Sequence, residues 1–399
     1  MQSKILGTSL LIAGTAIGAG MLALPLIAGL AGFSCALVIL IGIWALMTYT
    51  GLLILEVNLS LPVRKNSFSS MAKATAGPFA GIAAWVCVLL LLYSLTGAYI
   101  SGDTSLLSLL FHMLFHLTLP NWILSILFTA IFGGIVVHST RATDQTNRLF
   151  ITLKLFFLTT TMALLLPRIH LPLLTARPHD LNTLWLIAPI FLTSFGYHTV
   201  IPSLTNYIGK QPALLKKSII IGTTLPLITY ILWLFTTLGS IPQTGPHGFL
   251  TLSKHHSIAT LSHYLMQLNH NPWISISISC FTNIAVVTSF LGVTLGLFDF
   301  LADVTHGKNT RLGRFKTAGL TFIPPLVFSL IYPGGFIIAL SMAAVFVAFL
   351  EVILPAWMCY QARKNQTNPI YQVAGGNISL FIVGAIGLLL IFSTLVKFL

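Results

Sequence analysis

Long apolar segments alternate with short polar segments along the whole chain. Most apolar segments are about 20 residues long, the length at which a helix crosses a membrane. Because lipid offers no partner to a free backbone N–H or C=O group, this pattern predicts an all-α integral membrane protein. We place about eleven membrane-spanning helices, near residues 5–31, 33–60, 80–102, 121–138, 148–167, 183–207, 214–238, 273–302, 316–331, 335–360 and 376–397. The apolar residues 105–119 either extend the third span or lie along the surface.

The composition supports the same class. Of the 399 residues, 56% are hydrophobic and only 7% are charged, which is far less charge than a soluble domain carries. The net charge of +13 comes from basic residues spread in twos and threes between the spans, so it indicates topology rather than nucleic-acid binding. The four cysteines stand singly in apolar segments, which argues against a disulfide framework. The first apolar segment continues past Pro25, so we interpret it as a retained span rather than a signal peptide.

The distribution of lysine and arginine predicts the orientation. The segments on one side hold Lys4, Arg64, Lys65, Lys73, Arg141, Arg148, Lys210, Lys216, Lys217, Lys308, Arg311, Arg314, Lys316, Arg363 and Lys364, whereas the other side holds Arg168, Arg177, Lys254 and Lys397. This bias places the N-terminus in the cytoplasm and the C-terminus outside. The longest outer loop, residues 239–271, contains five histidines without a carboxylate or cysteine, so we interpret them as solvated residues rather than metal ligands.

Two spans contain sequences that interrupt a helix. In the first span, residues 14–20 read Gly-Thr-Ala-Ile-Gly-Ala-Gly, and three glycines weaken a helix. In the sixth span, residues 194–199 read Ser-Phe-Gly-Tyr-His-Thr and are followed by Pro202, which has no N–H group to donate. Open backbone at membrane depth persists only where protein or a polar cavity surrounds it, so both interruptions indicate a binding site near the centre of the bilayer.

The spacing of the two interruptions predicts an inverted repeat. They lie five spans apart, and an odd number means that the two halves cross the membrane in opposite senses. Inverted repeats with matching broken helices are the architecture of many secondary transporters. We therefore expect one transmembrane domain over residues 1–399, with repeats near 5–167 and 183–360 and an additional helix at 376–397.

Helix ends at such breaks suit an amino acid. Their N–H groups favour a carboxylate, and their carbonyl groups favour an ammonium group or a cation. Aromatic residues near the breaks favour stacking with an aromatic substrate, although they also pack helices together. The candidate substrate contacts are Thr15, Ala16, Ile17, Gly18, Ala19, Gly20, Met21, Tyr93, Tyr99, Ser194, Phe195, Gly196, Tyr197, His198 and Asn283.

Several of these stretches resemble one family. They are residues 14–25 (Gly-Thr-Ala-Ile-Gly-Ala-Gly-Met-Leu-Ala-Leu-Pro), 98–102 (Ala-Tyr-Ile-Ser-Gly), 192–198 (Leu-Thr-Ser-Phe-Gly-Tyr-His), 202–204 (Pro-Ser-Leu), 288–292 (Thr-Ser-Phe-Leu-Gly) and 298–303 (Phe-Asp-Phe-Leu-Ala-Asp). Together they resemble the hydroxy and aromatic amino acid permeases, the bacterial tyrosine and tryptophan permeases, and most of all the tyrosine-specific members. Asp103 and Thr104 depart from the pattern, because further glycines follow at this point in the tyrosine permeases.

The resemblance implies a LeuT-like fold of the APC superfamily with a 5+5 inverted repeat and broken first and sixth helices. It implies alternating-access import of an aromatic amino acid, most similar to tyrosine import, by proton symport across the bacterial inner membrane. It implies no cofactor beyond the coupling ion and no nucleic-acid or obligate protein partner, with membrane lipid around the chain. Tryptophan, serine or threonine as substrate, and sodium as coupling ion, stay open as alternatives. A channel or an enzyme is not favoured, because the seven acidic residues do not line a pore and no catalytic set is present.

Lys154, in the fifth span, is the most informative single charge. In proton-coupled relatives of the wider superfamily, a lysine here occupies the place of a sodium ion, and Thr288 and Ser289 resemble hydroxyl groups of that ion site. The resemblance thus assigns these three residues to proton coupling, the alternative being that Lys154 extends to the membrane surface. Histidine is a residue type that can exchange a proton near physiological pH, so His198 either contacts the substrate or relays protons.

The fold family also implies a cytoplasmic gate. An acidic residue at the inner end of the eighth span pairs there with a basic residue before the first span. Lys4 with Asp303 is the matching pair, and Asp299 lies one turn away. Glu56 and Glu351 lie toward the inner ends of the second and tenth spans and are either interfacial carboxylates or proton sites.

Overall fold

The computed structural model describes residues 2–61, 67–178, 180, 182–255, 257–267, 272–305, 310–365 and 370–396. Every regular element within these residues is helical. Arg64, Lys65, Lys308 and Lys397, used above for topology, lie outside the described residues, as do two histidines of the outer loop, His256 and His270.

The helices follow the apolar segments closely. They are α1 (Gln2–Ala16), α2 (Leu24–Ala31), α3 (Phe33–Ser60), α4 (Phe68–Ala76), α5 (Pro78–Phe115), α6 (Asn121–His138), α7 (Thr140–Leu165), α8 (Asn182–Ser194), α9 (Ile201–Ile208), α10 (Pro212–Leu238), α11 (Phe249–Leu252), α12 (Ile258–Gln267), α13 (Pro272–Thr305), α14 (Arg311–Ile331), α15 (Phe336–Val347), α16 (Leu354–Asn365) and α17 (Gly376–Val396). A π-helical turn, Ala348–Ile353, joins α15 to α16 without interruption.

The number of spans is supported in part. Among the described residues, nine helices are long and apolar enough to cross a membrane, and the bent pair Lys4–Ala16 and Ala19–Ala31 makes up to ten. The predicted ninth span coincides with α14, which is helical over 21 residues but is not one of these ten. Two basic residues, Arg314 and Lys316, and the internal prolines Pro324 and Pro325 make α14 less apolar. Eleven spans therefore stay a prediction.

Residues 105–119 belong mainly to the third predicted span. α5 continues without a break for 38 residues to Phe115, so the alternative of a separate surface segment is wrong. The helix ends because His116 adopts the left-handed conformation, with φ 54°. The long extension reaches the outer loop, whose helix α12 packs against α5 and α13.

The interior of the bundle surrounds the two helix interruptions. α13 packs against α5 and α7, and α10 packs against α1 and α3. The largest fully buried side chains include Phe191, Phe195, Tyr197, Tyr230 and Trp233, which all lie on α8, on α10 or in the second interruption. Large buried aromatic side chains therefore surround the breaks.

Two histidines of the predicted outer loop, His247 and His263, contact neighbouring side chains. The His247 ring stacks on the Tyr264 ring at 5.0 Å, and His263 Nε2 lies 2.8 Å from Gln267 Nε2. Among the residues that the structure describes, no group of three His, Cys, Asp or Glu side chains is placed to hold a metal ion.

A buried ion pair connects the inner ends of two helices. The Arg363 guanidinium of α16 donates to both carboxylate oxygens of Glu56 on α3, at 2.7 and 2.9 Å. Glu56 also accepts a hydrogen bond from the Val373 backbone N–H, and Arg363 donates to the carbonyl groups of Val373 and Gly376. Breaking a buried pair leaves an uncompensated charge and costs about 3–5 kcal/mol. We call Glu56, Arg363 and Val373 the inner clamp.

Candidate functional site

The first break lies where the sequence predicts it. α1 ends at Ala16, Gly18 is extended with φ −116° and ψ −165°, and a 3-10 turn over Ala19–Leu22 leads into α2. The freed backbone groups find side-chain partners, as buried polar groups must. The Ala19 N–H donates to Ser289 Oγ at 2.7 Å, and the Ile17 carbonyl accepts from Lys154 Nζ at 2.8 Å.

The second break also lies where it was predicted. α8 ends at Ser194, a short 3-10 turn spans His198–Val200, and α9 begins at Ile201. Pro202 occupies the first turn of α9, where the missing N–H group costs nothing because it would have no partner inside the helix. The proline thus starts the second half-helix rather than kinking a continuous one.

The two breaks are in contact. A Cβ atom at Gly20 would lie 3.1 Å from Ser194 Oγ, so only glycine permits this approach without adjustment. The Tyr230 hydroxyl of α10 lies 2.7 Å from the carbonyl oxygens of both Ala16 and Ser194. Ala16 is the last residue of α1, and Ser194 is the last residue of α8. Trp233, one turn away, donates its indole N–H to the Met21 carbonyl at 3.1 Å. Sequence analysis missed Tyr230 and Trp233, because nothing local distinguishes them from packing residues.

Lys154 lies at the first break. Its side chain is 3% exposed, and Nζ is 2.8 Å from the Ile17 carbonyl and 3.4 Å from Thr288 Oγ1. The side chain therefore points into the bundle, and the alternative of extension to the membrane surface is wrong. Thr288 and Ser289 adjoin the same break, Thr288 through Lys154 and Ser289 through Ala19.

The outer wall of the site contains unsatisfied polar groups. Tyr99 is buried and hydrogen-bonds the Ser289 side chain. Asp103, one helical turn further along α5, is 1% exposed, and both carboxylate oxygens lack a hydrogen-bond partner. Asn283 donates to the Ser279 carbonyl, but its Oδ1 atom is buried without a partner. Buried acceptors of this kind are rare and point to an absent donor.

His198 is held between two other helices. Its Nε2 atom lies 2.8 Å from Thr50 Oγ1 on α3, and its Nδ1 atom lies 2.8 Å from Glu351 Oε2 in the π-helical turn. The neighbouring Tyr197 hydroxyl donates to the Met47 carbonyl at 3.1 Å, and a Cβ atom at Gly51 would collide with that hydroxyl. Thr50 was not predicted, whereas Glu351 was predicted to be either an interfacial carboxylate or a proton site toward the inner end of its span. A carboxylate within an apolar span was the signal for Glu351.

Two predicted substrate contacts face away from the breaks. The Tyr93 hydroxyl donates to the Leu320 carbonyl of α14, and its ring lines a cavity of about 210 Å³ with Pro324, Phe328 and Met342. Thr15 is exposed and hydrogen-bonds its own helix at Leu11. The other predicted contacts in residues 16–21 and 194–198 lie in the two breaks themselves.

The predicted gate residues lie near helix ends. Lys4 Nζ lies 5.8 Å from the centre of the Tyr207 ring, at the end of α9. Asp299 is half-buried and Asp303 is exposed, near the end of α13. Pairing of Lys4 with Asp303 stays a prediction.

Two helix breaks that meet inside a bundle of membrane-length helices are typical of secondary transporters. The chain matches the Tryptophan/tyrosine permease family over residues 1–394 and belongs to that family.

Named relatives include both substrate types. The chain is 38% identical to the Tyrosine-specific transport system 1 of Haemophilus influenzae over 393 residues, covering 98% of this chain and 96% of the relative. It is 37% identical to the Tryptophan-specific transport protein of Pseudomonas aeruginosa over 386 residues, covering 96% and 92%. It is 36% identical to the Low affinity tryptophan permease of Escherichia coli K12 over 389 residues, covering 96% and 93%. The family resemblance predicted from the sequence is therefore confirmed.

Proposed function

We propose that this protein imports tyrosine by proton symport, through alternating access in the bacterial inner membrane, with its N-terminus in the cytoplasm. The observation that carries the proposal is the buried ammonium group of Lys154 at the first break, between the Ile17 carbonyl and Thr288 Oγ1. A carbonyl and a hydroxyl oxygen are ligands for a cation such as sodium. Here a covalently attached cation fills that place, so the group that binds and leaves is a proton.

The position of the Lys154 charge also gives a physical basis for coupling between the proton and the substrate. The Ile17 carbonyl belongs to the break that we propose as a substrate site, so the charge on Lys154 acts directly on the backbone that binds substrate. A buried charge is costly unless it is paired and hydrogen-bonded. Loss of the proton would therefore loosen the break, and rebinding would restore it.

The aromatic surround supports an aromatic substrate. The Phe195 and Tyr230 rings meet edge-to-face at 5.1 Å, and Trp233 and Phe281 do so at 5.4 Å. Rings in this arrangement offer both faces and edges to another ring. The α-ammonium and α-carboxylate groups of any amino acid fit the helix ends, so the rings favour the aromatic amino acids over serine and threonine.

The unsatisfied acceptors favour tyrosine over phenylalanine. Asp103 lies four residues after Tyr99, which is about 6 Å along the helix at 1.5 Å per residue. This separation is similar to that between the α-carbon and the hydroxyl group of tyrosine. A phenolic hydroxyl donates a hydrogen bond that phenylalanine cannot. Tryptophan, the second candidate, also carries a donor in its indole N–H, and relatives of both types are known.

Counterflow in proteoliposomes tests substrate and ion together. Vesicles loaded with unlabelled tyrosine are expected to accumulate labelled tyrosine, with competition by tryptophan and weak competition by phenylalanine and serine. An inward proton gradient should drive uptake, and a sodium gradient at constant pH should not. Sodium-driven uptake would refute proton coupling, and absence of exchange for all four amino acids would refute the transport proposal.

Replacing Asp103 by valine tests the specificity argument. Removing the acceptor is expected to weaken tyrosine binding about tenfold, because a buried hydroxyl group left without its acceptor costs about 1–3 kcal/mol. Phenylalanine binding should change by no more than about twofold, since it makes no such bond. Competition against labelled tryptophan measures both.

Ser105→Ala is the matched control on the same helix. Ser105 donates to Ser101 and to Pro333 on another side of α5, so we expect both affinities to be unchanged. An equal loss for tyrosine and phenylalanine in Asp103→Val would show a structural role and contradict the assignment.

A further inference from the structure

Glu351 and His198 form a buried pair outside the first break. Their side chains are 5% and 0% exposed, and Oε2 lies 2.8 Å from Nδ1. The contact is at ion-pair distance but lacks the angle of a hydrogen bond. The contact joins His198 of the second break to Glu351 of the tenth predicted span, and these two residues are far apart in the sequence.

The backbone on both sides is arranged for this contact. Glu351 lies in the π-helical turn Ala348–Ile353, and such turns within α-helices occur frequently at functional sites. A Cβ atom at Gly196 would lie 3.6 and 3.7 Å from the two carboxylate oxygens of Glu351. The carboxylate therefore lies directly against the backbone of the second break, with no side chain from Gly196 between them.

The net charge of the Glu351–His198 pair depends on whether the pair itself holds a proton. Thr50 Oγ1 lies within hydrogen-bond distance of the other imidazole nitrogen of His198, Nε2, and the adjacent Tyr197 hydroxyl donates to the Met47 carbonyl. Of the helices that pack against the π-helical turn, α15 and α17 have no ionisable side chain. The others carry Cys35, Tyr49, Glu56, Cys87, Tyr93, Tyr99, Asp103, His112, Cys359, Tyr360, Arg363 and Lys364. Within this set Glu56 and Arg363 neutralise each other in the inner clamp.

These contacts fix the charge states that the site tolerates. With a neutral imidazole and an ionised carboxylate, the pair carries one uncompensated negative charge in the bundle interior. With one additional proton, on either group, its net charge is zero. Burial strongly disfavours the first state unless water enters.

We propose that Glu351 and His198 together carry a transported proton at the second break, separate from Lys154 at the first. This role rests on the proton-coupled import proposed above. Both residues are followed by helix segments that lead to the predicted cytoplasmic side, α9 and α16. When the inner half of the sixth span moves and water reaches the pair, the proton passes to water, and the pair takes up a new proton before it closes again.

Glu351→Gln tests this role, because glutamine keeps the shape and a polar contact to the imidazole but cannot lose a proton. Proteoliposomes containing the full-length chain and an internal pH-sensitive dye report proton entry when tyrosine is added outside. We expect tyrosine-driven proton entry to fall at least about tenfold even with Lys154 intact, because a carrier that cannot release the proton of the pair cannot complete the return step of net transport. Counterflow of labelled tyrosine, which needs no net proton movement, should stay within about threefold of the unsubstituted chain.

A double-substitution cycle of Glu351 and His198 tests whether the two residues share one proton or affect proton entry independently. If one proton is shared, His198→Gln and the double variant should lose no more proton entry than Glu351→Gln alone. Asp144→Asn is the control carboxylate, since Asp144 is about half exposed and pairs with Arg148 at the surface. It should leave both proton entry and exchange unchanged.

The outcomes distinguish this inference from the proposed function. If the unsubstituted chain exchanges tyrosine without proton entry, proton symport itself is wrong. If it couples normally and Glu351→Gln retains proton entry within about twofold, the assignment of Glu351 is overturned. Loss of exchange together with proton entry in Glu351→Gln would also overturn it, because it would show a purely structural contact.

Discussion

Replacing Lys154 by methionine is expected to abolish accumulation of tyrosine against a gradient. Methionine fills a similar volume but leaves the Ile17 carbonyl buried without its donor at the first break. An unsatisfied buried acceptor costs about 1–3 kcal/mol, which corresponds to about tenfold or more in an equilibrium constant. Gradient-driven uptake should therefore fall to the level of exchange, and the part of its dependence on external pH that comes from Lys154 should disappear. Initial uptake rates over a range of external pH measure both effects.

Lys210→Met provides a matched control. Lys210 Nζ also donates to backbone carbonyl groups, those of Leu59 and Leu61, but at the inner end of α3 and away from both breaks. We expect it to reduce uptake by no more than about twofold, as for a partly exposed hydrogen bond. Normal pH dependence in Lys154→Met would disprove the role of Lys154 as carrier of the coupling charge.

Replacing Tyr230 by phenylalanine should produce the second large effect. The hydroxyl lies 2.7 Å from the last carbonyl oxygen of both α1 and α8 and donates its single proton to one of them at a time. Its removal takes away the donor that these two helix ends share, while the ring stays packed against Phe195. At about 1–3 kcal/mol for an unsatisfied buried group, we expect tyrosine affinity to fall by about tenfold or more. Binding to the purified protein and its melting temperature measure this.

Tyr360→Phe is the control for loss of a tyrosine hydroxyl. The Tyr360 ring packs against Phe381 at the other side of the bundle, 5.7 Å between centroids. Affinity for tyrosine should be unchanged. If Tyr230→Phe lowers the melting temperature but leaves substrate affinity intact, the hydroxyl stabilises the fold without shaping the site.

The spans and both breaks could be predicted from the sequence because the membrane imposes simple rules. Apolar length determines where a helix crosses, and glycine or proline determines where it weakens. The prediction was weakest where those rules apply least. α14 carries basic residues and two prolines, and α5 extends beyond the apolar core into the outer loop.

Individual site residues were harder to predict because their roles depend on which side of a helix faces the breaks. Tyr93 and Tyr99 are both tyrosines of the third span, yet only Tyr99 reaches Ser289. Tyr230 serves two helix ends through contacts 214 and 36 residues away in sequence. Glu351 contacts His198 from within a π-helical turn. No local sequence pattern indicated that turn.

The inner clamp has a mechanical consequence. It joins α3 to α16 and to the segment that leads into α17. Thr50 lies on α3, and Glu351 lies immediately before α16, so the two residues that hold the His198 ring belong to helices fastened together at one end. We expect these helices to move together. In the proposed alternating access, the short half-helix α9 then moves against α3 and α16, and the His198 imidazole lies at the contact between them.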